Sequence, residues 1–225
     1  IPTETVYGLG ANTLRKDALE RLFKVKQRPK DRALPVHIAN TDQAKFIARD
    51  IPEDFYALAR KFFPGPLTII LKKSKMLDPL ITGGKESVAV RISSNPIARR
   101  LIELTGCPLV LPSANITGKP SPTKAKHVLE DFNGDIEAVV DGGESLLGLE
   151  STVVSLEDPH NPLILRLGPI TYSDIEKVLG KRVKISALTC FSKKDGIRYP
   201  TIRLFSTLEE VRIYLQLSTE NKRLI

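Results

Sequence analysis

The apolar run Pro108-Leu109-Val110-Leu111 passes directly into Pro112-Ser113-Ala114-Asn115, and a turn closed by Gly118, Pro120 and Pro122 follows. A short apolar run bounded in this way is a buried strand that has to stop where the small polar residues begin. The polar residues then present hydroxyl and amide donors at the carboxyl edge of that strand. Open α/β sheets bind ligands at such an edge.

The rest of the chain alternates in kind. Helices are expected over Thr13 to Lys26, ending before Arg28-Pro29, over Thr41 to Ala48 with Thr41 as N-cap, and over Asp54 to Phe63. Further helices are expected over Pro96 to Thr105 with Gly106 at the end, Thr123 to Leu129, and Ser173 to Leu179. Strands are expected at Leu34 to Ile38, Leu67 to Leu71, Ser87 to Ile92, Ala138 to Asp141, Ser151 to Ser155 and Leu163 to Arg166. Alternating helices and strands, several joined by short turns, define an α/β class with a mixed sheet. Periodicity fades from Lys181 to Pro200, which reads as a linker. Thr201 to Phe205 and Leu208 to Leu217 read as the first strand and helix of another domain. The expected division is therefore 1–180, 181–200 and 201–225. The chain opens at Ile1 rather than Met and stops inside an unfinished element, so both ends are expected to be cut short.

Two cysteines, Cys107 and Cys190, form no Cys-x-x-Cys pair or Cys/His cluster, which argues against a zinc site and for a reduced, cytoplasmic setting. No apolar run approaches the roughly 20 residues that cross a bilayer. The net charge of +8 suggests nucleic acid until the chain is divided. Residues 1–180 hold 24 Lys and Arg against 22 Asp and Glu, whereas residues 181–225 hold 10 against 4. The main domain is nearly neutral, so its cations near position 30 are a local site rather than a broad basic face.

Those cations are Lys26-Gln27-Arg28-Pro29 with Arg32 close behind. Together with the Ser113/Asn115 turn they suit a polyphosphate. Pro2-Thr3-Glu4-Thr5-Val6-Tyr7-Gly8-Leu9-Gly10 adds two hydroxyls and a carboxylate in an extended stretch, and two glycines then let the backbone turn.

These three motifs resemble, in order, those of the YrdC-like family. The resemblance includes Phe63-Pro64-Gly65-Pro66-Leu67-Thr68, Val90-Arg91, Ser121-Pro122-Thr123 and Glu150-Ser151-Thr152-Val153-Val154, and it covers roughly residues 1–180. It implies a twisted α/β sheet with a deep, positively charged concave cleft. It also implies an enzyme that joins L-threonine, bicarbonate and ATP into threonylcarbamoyl-AMP and pyrophosphate. A separate transferase would then carry the threonylcarbamoyl group to tRNA, with direct tRNA binding by this chain left open. By resemblance Lys26, Arg28 and Arg32 would hold the triphosphate, with Mg²⁺ carried by the phosphates rather than by protein ligands. Asn115 and Thr123 would complete that cradle beside Ser113, and Ser87 and Arg166 would reach the nucleotide. Arg91 would pair with the threonine carboxylate, for which a guanidinium fork is well shaped. Thr3, His37, Ser113 and Ser151 would contact the rest of the amino acid.

The chain departs from the family pattern in places. Arg32-Ala33 stands where Asn-Pro is more usual, and Ile92-Ser93-Ser94 lacks a common proline. In the linker, Gly196-Ile197-Arg198-Tyr199-Pro200 matches only part of a segment thought to fold over the cleft, with Tyr199 as a nucleotide contact. Two other readings are a non-catalytic RNA-binding module and a carbamoyl-adenylating domain of the hydrogenase-maturation type.

Overall fold

Alternation along the strands sets the architecture, because successive side chains of a strand point to opposite faces. The computed structural model describes residues 1–186. Within them the strands are β1 (Ala11–Asn12), β2 (Val36–His37), β3 (Leu67–Lys72), β4 (Ser87–Arg91), β5 (Leu109–Val110), β6 (Thr152–Ser155), β7 (Leu163–Arg166) and β8 (Lys184–Ile185). They form one mixed, open sheet in the order β1-β5-β2-β4-β3-β6-β7-β8. β2 with β4, β3 with β6 and β7 with β8 are parallel; the other neighbours are antiparallel. Val36, Ile69, Leu71, Val88, Val90, Val110, Val154 and Ile164 belong to the main core. His37, Thr68, Ala89, Arg91 and Val153 alternate with them and line a cleft on the opposite face.

The helices are α1 (Lys16–Val25), α2 (Ala44–Ile47), α3 (Glu53–Phe62), α4 (Pro79–Thr82), α5 (Pro96–Thr105), α6 (Ala125–Phe132) and α7 (Tyr172–Leu179). Leu19, Leu22 and Phe23 of α1, Ile47 of α2, Phe55 and Leu58 of α3, and Ile175 of α7 cover the apolar face. Each such side chain contributes about 1.5–3 kcal/mol when fully buried. Two smaller clusters serve the other side. Val128 and Phe132 of α6 pack on Tyr7 and Ala114, and Ile102 of α5 packs on Cys107 and Leu109. None of the described helices is long and apolar enough to cross a membrane.

Local signals place most element ends well. α5 starts after Asn95, whose side chain accepts from the backbone N–H of Ile97 and Ala98, and stops at Gly106 with φ 68°. Elsewhere the structure corrects the expectations. α1 begins at Lys16 rather than Thr13, because Asn12 to Arg15 form a turn in which the Asn12 side chain accepts from the Leu14 N–H and Thr13 bonds Pro108 O. The N-cap before Thr41 is Asn40, and residues 41–43 are a 3-10 turn preceding α2. α6 runs from Ala125 to Phe132, so Thr123 precedes its N-cap Lys124. Ala138 to Asp141 is not a strand. That segment is tied by Tyr7, whose hydroxyl donates to Gly143 O and receives the Gly142 N–H, rather than by a ladder. Lys184–Ile185 pairs with β7 inside the expected linker. The remainder of that linker, Tyr199 and the expected second domain lie outside the described residues.

Candidate active site

The cleft has a volume of about 370 Å³, and its floor is the cleft-facing row of the central strands. Three chain segments wall it. The first is Thr3 to Gly8, held to the Ser113 turn by Ala114 N–H to Tyr7 O and Leu9 N–H to Pro112 O, both 2.8 Å. A Cβ on Gly8 would come within 2.5 Å of Leu111 Cγ, so only glycine allows this approach. The second is the loop after α1 with Arg28 and Arg32. The third is Glu150-Ser151 with Arg166 of β7.

Arg166 reaches the cleft through a bulge. Ser155 pairs with Leu163 and Val154 with Ile164, but Val153 pairs with Arg166, so Leu165 is an inserted residue. Strict alternation from the core residue Ile164 would turn Arg166 to the core face; the insertion returns it to the side of Val153. There its Nε donates to Ser151 O at 2.8 Å and its Nη2 to Ser151 Oγ at 3.0 Å. The Ser151 hydroxyl is also 2.7 Å from Thr68 Oγ1.

Arg91 is buried at the end of β4. Its Nη2 donates to Glu4 Oε1 at 2.7 Å, its Nη1 to Thr5 Oγ1 at 2.9 Å and its Nε to Gly65 O at 3.3 Å. Beside it His37 is buried, and its Nδ1 has no hydrogen-bond partner. Burial, then the Arg91 charge, pushes the imidazole pKa well below 6.5, so the ring is neutral. Burial lowers the Arg28 pKa and nearby Arg32 lowers it further. Arg166 is exposed as a residue, while its guanidinium is packed against the Ser151 segment. That crowding lowers its pKa; the Glu150 charge opposes the shift and Arg91 adds to it. Partly desolvated guanidinium groups gathered this closely mark a site that gains energy from an anion.

Thr3, Arg28, Arg32, His37, Arg91, Ser113, Ser151 and Arg166 therefore line one cleft. Four of the remaining candidates do not line it. Lys26 is 1% exposed, and its Nζ donates to Ser113 O and, at 2.6 Å, to Asn115 O. The Asn115 amide nitrogen is used by the carbonyls of Ile116 and Lys119. Thr123 belongs to the segment entering α6, where its carbonyl accepts from Ser145 N–H. Ser87 opposes Lys72 at the far end of β4, though it shares the face of Ala89 and Arg91. Thr3 spends its hydroxyl inside its own turn, accepting from Thr5 and Val6 N–H and donating to Val6 O.

The structure adds Thr5, Thr68 and Glu150 to the cleft wall and Glu4 behind it. All four stand in motifs visible in the sequence, but nothing local distinguishes them from strand and turn residues. Among the described residues no group of three or more His, Cys, Asp or Glu could hold a metal ion. The donor set suits anions instead.

The Sua5/YciO/YrdC family model, described as "Telomere recombination", matches residues 1–168. Threonylcarbamoyl-AMP synthase of Pyrococcus abyssi is 52% identical over 180 residues, covering 80% of this chain and 53% of that protein. The Bacillus subtilis threonylcarbamoyl-AMP synthase is 48% identical over 180 residues, covering 80% and 52%. A crystal structure of P. abyssi Sua5 complexed with L-threonine superposes with a TM-score of 0.80 at 50% identity, covering 85% of this chain and 56% of that one. The chain spans about half the length of the curated relatives it matches. On the match of residues 1–168, the chain belongs to the Sua5/YciO/YrdC family.

Proposed function

We propose that this chain carries the catalytic domain of a threonylcarbamoyl-AMP synthase, which joins L-threonine, bicarbonate and ATP and releases pyrophosphate. The observation that carries the reading is the meeting of Arg28, Arg32, Arg91 and Arg166 on one cleft with a buried neutral histidine and the hydroxyls of Thr5, Ser113 and Ser151. The likeness to relatives of that name supports it, as does the likeness to a homologous protein solved with L-threonine.

The chemistry needs little beyond positioning. Threonine's amine condenses with bicarbonate, losing water, to give a carbamate. A carbamate oxygen then attacks the α-phosphorus of ATP, forming a P–O bond as the bond to the bridging α,β oxygen breaks and pyrophosphate leaves. Holding the reactants together converts an encounter into an intramolecular step. Fixed guanidinium groups stabilise charge developing on phosphoryl oxygens. Arg28, Arg32 and Arg166 are assigned to the phosphates, and Arg91, His37 and Ser151 to the amino acid. Ser87, beyond Ala89 on the same face, is assigned to the nucleoside end. Lys26 and Asn115 shape the turn that presents Ser113. Mg²⁺ arrives with ATP and neutralises its phosphates.

A transferase acting on tRNA would consume the product. The test is pyrophosphate release by the intact protein with ATP, Mg²⁺, bicarbonate and L-threonine. Release that requires threonine is expected, and Arg28→Ala should lower it about 10²-fold. Release independent of threonine, or none, would overturn the reading.

A further inference from the structure

Glu4 has no part in the chemistry above, and its side chain is only 6% exposed. Both of its oxygens are engaged. Oε1 accepts from Arg91 Nη2 at 2.7 Å, and Oε2 accepts from the Ser93 hydroxyl. Burial raises the Glu4 pKa, but the Arg91 charge and the hydrogen bonds from Ser93 and Arg91 outweigh it and leave a carboxylate below its ordinary range. Such a group is a fixed anion at neutral pH, not a proton carrier.

Its effect falls on Arg91. A guanidinium has five N–H donors. Glu4, Thr5 and Gly65 take three of them, which leaves one on each terminal nitrogen facing no protein acceptor among the described residues. Because Arg91 also lines the cleft, its plane decides whether that remaining pair can meet a carboxylate. Thr5 and Gly65 supply neutral acceptors, whereas Glu4 is the only charged acceptor of this guanidinium among the described residues, and Ser93 keeps its carboxylate from turning.

We infer that Glu4 is a positioning residue for an amino-acid carboxylate: it clamps the plane of Arg91 so that the two remaining N–H donors receive the α-carboxylate of the substrate. The inference rests on the threonine reading of the cleft.

Steady-state pyrophosphate release by the intact protein tests it, with threonine and ATP varied in turn. Glu4→Gln removes the charge and keeps the shape. It should raise the KM for L-threonine by about tenfold or more, the loss of a charge-assisted hydrogen bond, and leave the KM for ATP unchanged. Glu4→Asp keeps the charge but shortens the reach, and it should also raise the threonine KM. Ser93→Ala, which frees one carboxylate oxygen, should shift the same constant by less. An unchanged threonine KM in Glu4→Gln, or an equal rise for both substrates, overturns the inference. Should Glu4→Gln fail to fold by circular dichroism, Ser93→Ala decides, and an unchanged threonine KM there overturns it. Threonine-dependent release by the unmodified protein with unaltered variants sinks this inference alone. No threonine-dependent release at all sinks the functional reading and this inference with it.

Discussion

The ammonium of Lys26, at the end of α1, sits 2.6 Å from the carbonyl oxygen of Asn115, 89 residues further along the chain. The same ammonium also donates to Ser113 O. The cation-rich motif and the serine-asparagine turn are thus joined by a side chain that is 1% exposed. By resemblance Lys26 is a phosphate contact; its buried ammonium also staples the two segments. Lys26→Met keeps the stem but takes the ammonium from both carbonyls, of which only Ser113 O retains a second donor, the Asn115 N–H at 3.0 Å, and should lower stability by about 2–4 kcal/mol. Urea unfolding measures it. A variant of native stability that nonetheless lost activity would return Lys26 to the phosphates.

The bulge at Leu165 makes the sharpest structural prediction. Deleting Leu165 restores strict alternation in β7 and directs Arg166 to the face that Ile164 occupies. Placing an arginine in that core is costly, so the deletion should destabilise the fold by several kcal/mol, on the order of 3 or more, and abolish activity. Leu165→Ala retains the inserted residue, and because Leu165 is 37% exposed it should change stability by only about 0.5 kcal/mol. Its kcat/KM should match the native value. If the deletion variant were as active as the substitution, the bulge would not be what aims Arg166.

What could be read in the chain divides along sequence separation. The ends of α5 were legible because Asn95, Pro96 and Gly106 act on their immediate neighbours. The cleft residues Arg28, Arg91, Ser113 and Ser151 were legible as motif members and His37 only through the family resemblance, and the sheet brings them together. The roles of Lys26 and Glu4 were not, since their partners lie 89 and 87 positions away and any local view shows only a helix end and a strand carboxylate. Ala138 to Asp141 reads as a strand because Val139 and Val140 are β-formers, yet Val139 packs beside the Tyr7 cluster and no strand among the described residues pairs with it. The Leu165 insertion leaves no mark in hydrophobic pattern, because a bulge is defined by the partner strand.

Acid should weaken the fold in two steps. The His37 pKa lies well below 6.5 in the folded protein, by burial and the Arg91 charge. Below pH 6.5 the unfolded chain takes up a proton on this residue and the folded chain does not, so stability begins to fall there. Glu4 behaves in the same sense lower down. Its folded pKa is below 4.5, with burial outweighed by Arg91 and Ser93, so its contribution is complete above 4.5 and is lost as pH falls through the folded value. Urea midpoints followed downward from neutral pH should show both. His37→Asn should flatten the upper part of the decline and Glu4→Gln the lower part. Identical pH profiles for native protein and both variants would contradict these assignments.

Gly168 presses on the segment that carries Ser151. A Cβ there would come 2.5 Å from Thr152 N and 2.7 Å from both Glu150 O and Ser151 C. All three are backbone atoms, so no side chain can swing aside to make room. Gly168→Ala must push residues 150–152 away, moving the Ser151 hydroxyl off Thr68 and Arg166. Overpacking of this kind costs about 1–3 kcal/mol. Activity should fall further than that loss of stability explains, because the displaced atoms line the cleft. Gly106→Ala is the matched control. Its φ of 68° imposes a conformational cost of about 1–2 kcal/mol, but its Cβ would meet nothing within 4 Å. It should lower the unfolding midpoint and leave kcat/KM unchanged. If Gly168→Ala behaved as Gly106→Ala does, the contact with the Ser151 segment would be tolerant, and the close approach would have no bearing on the site.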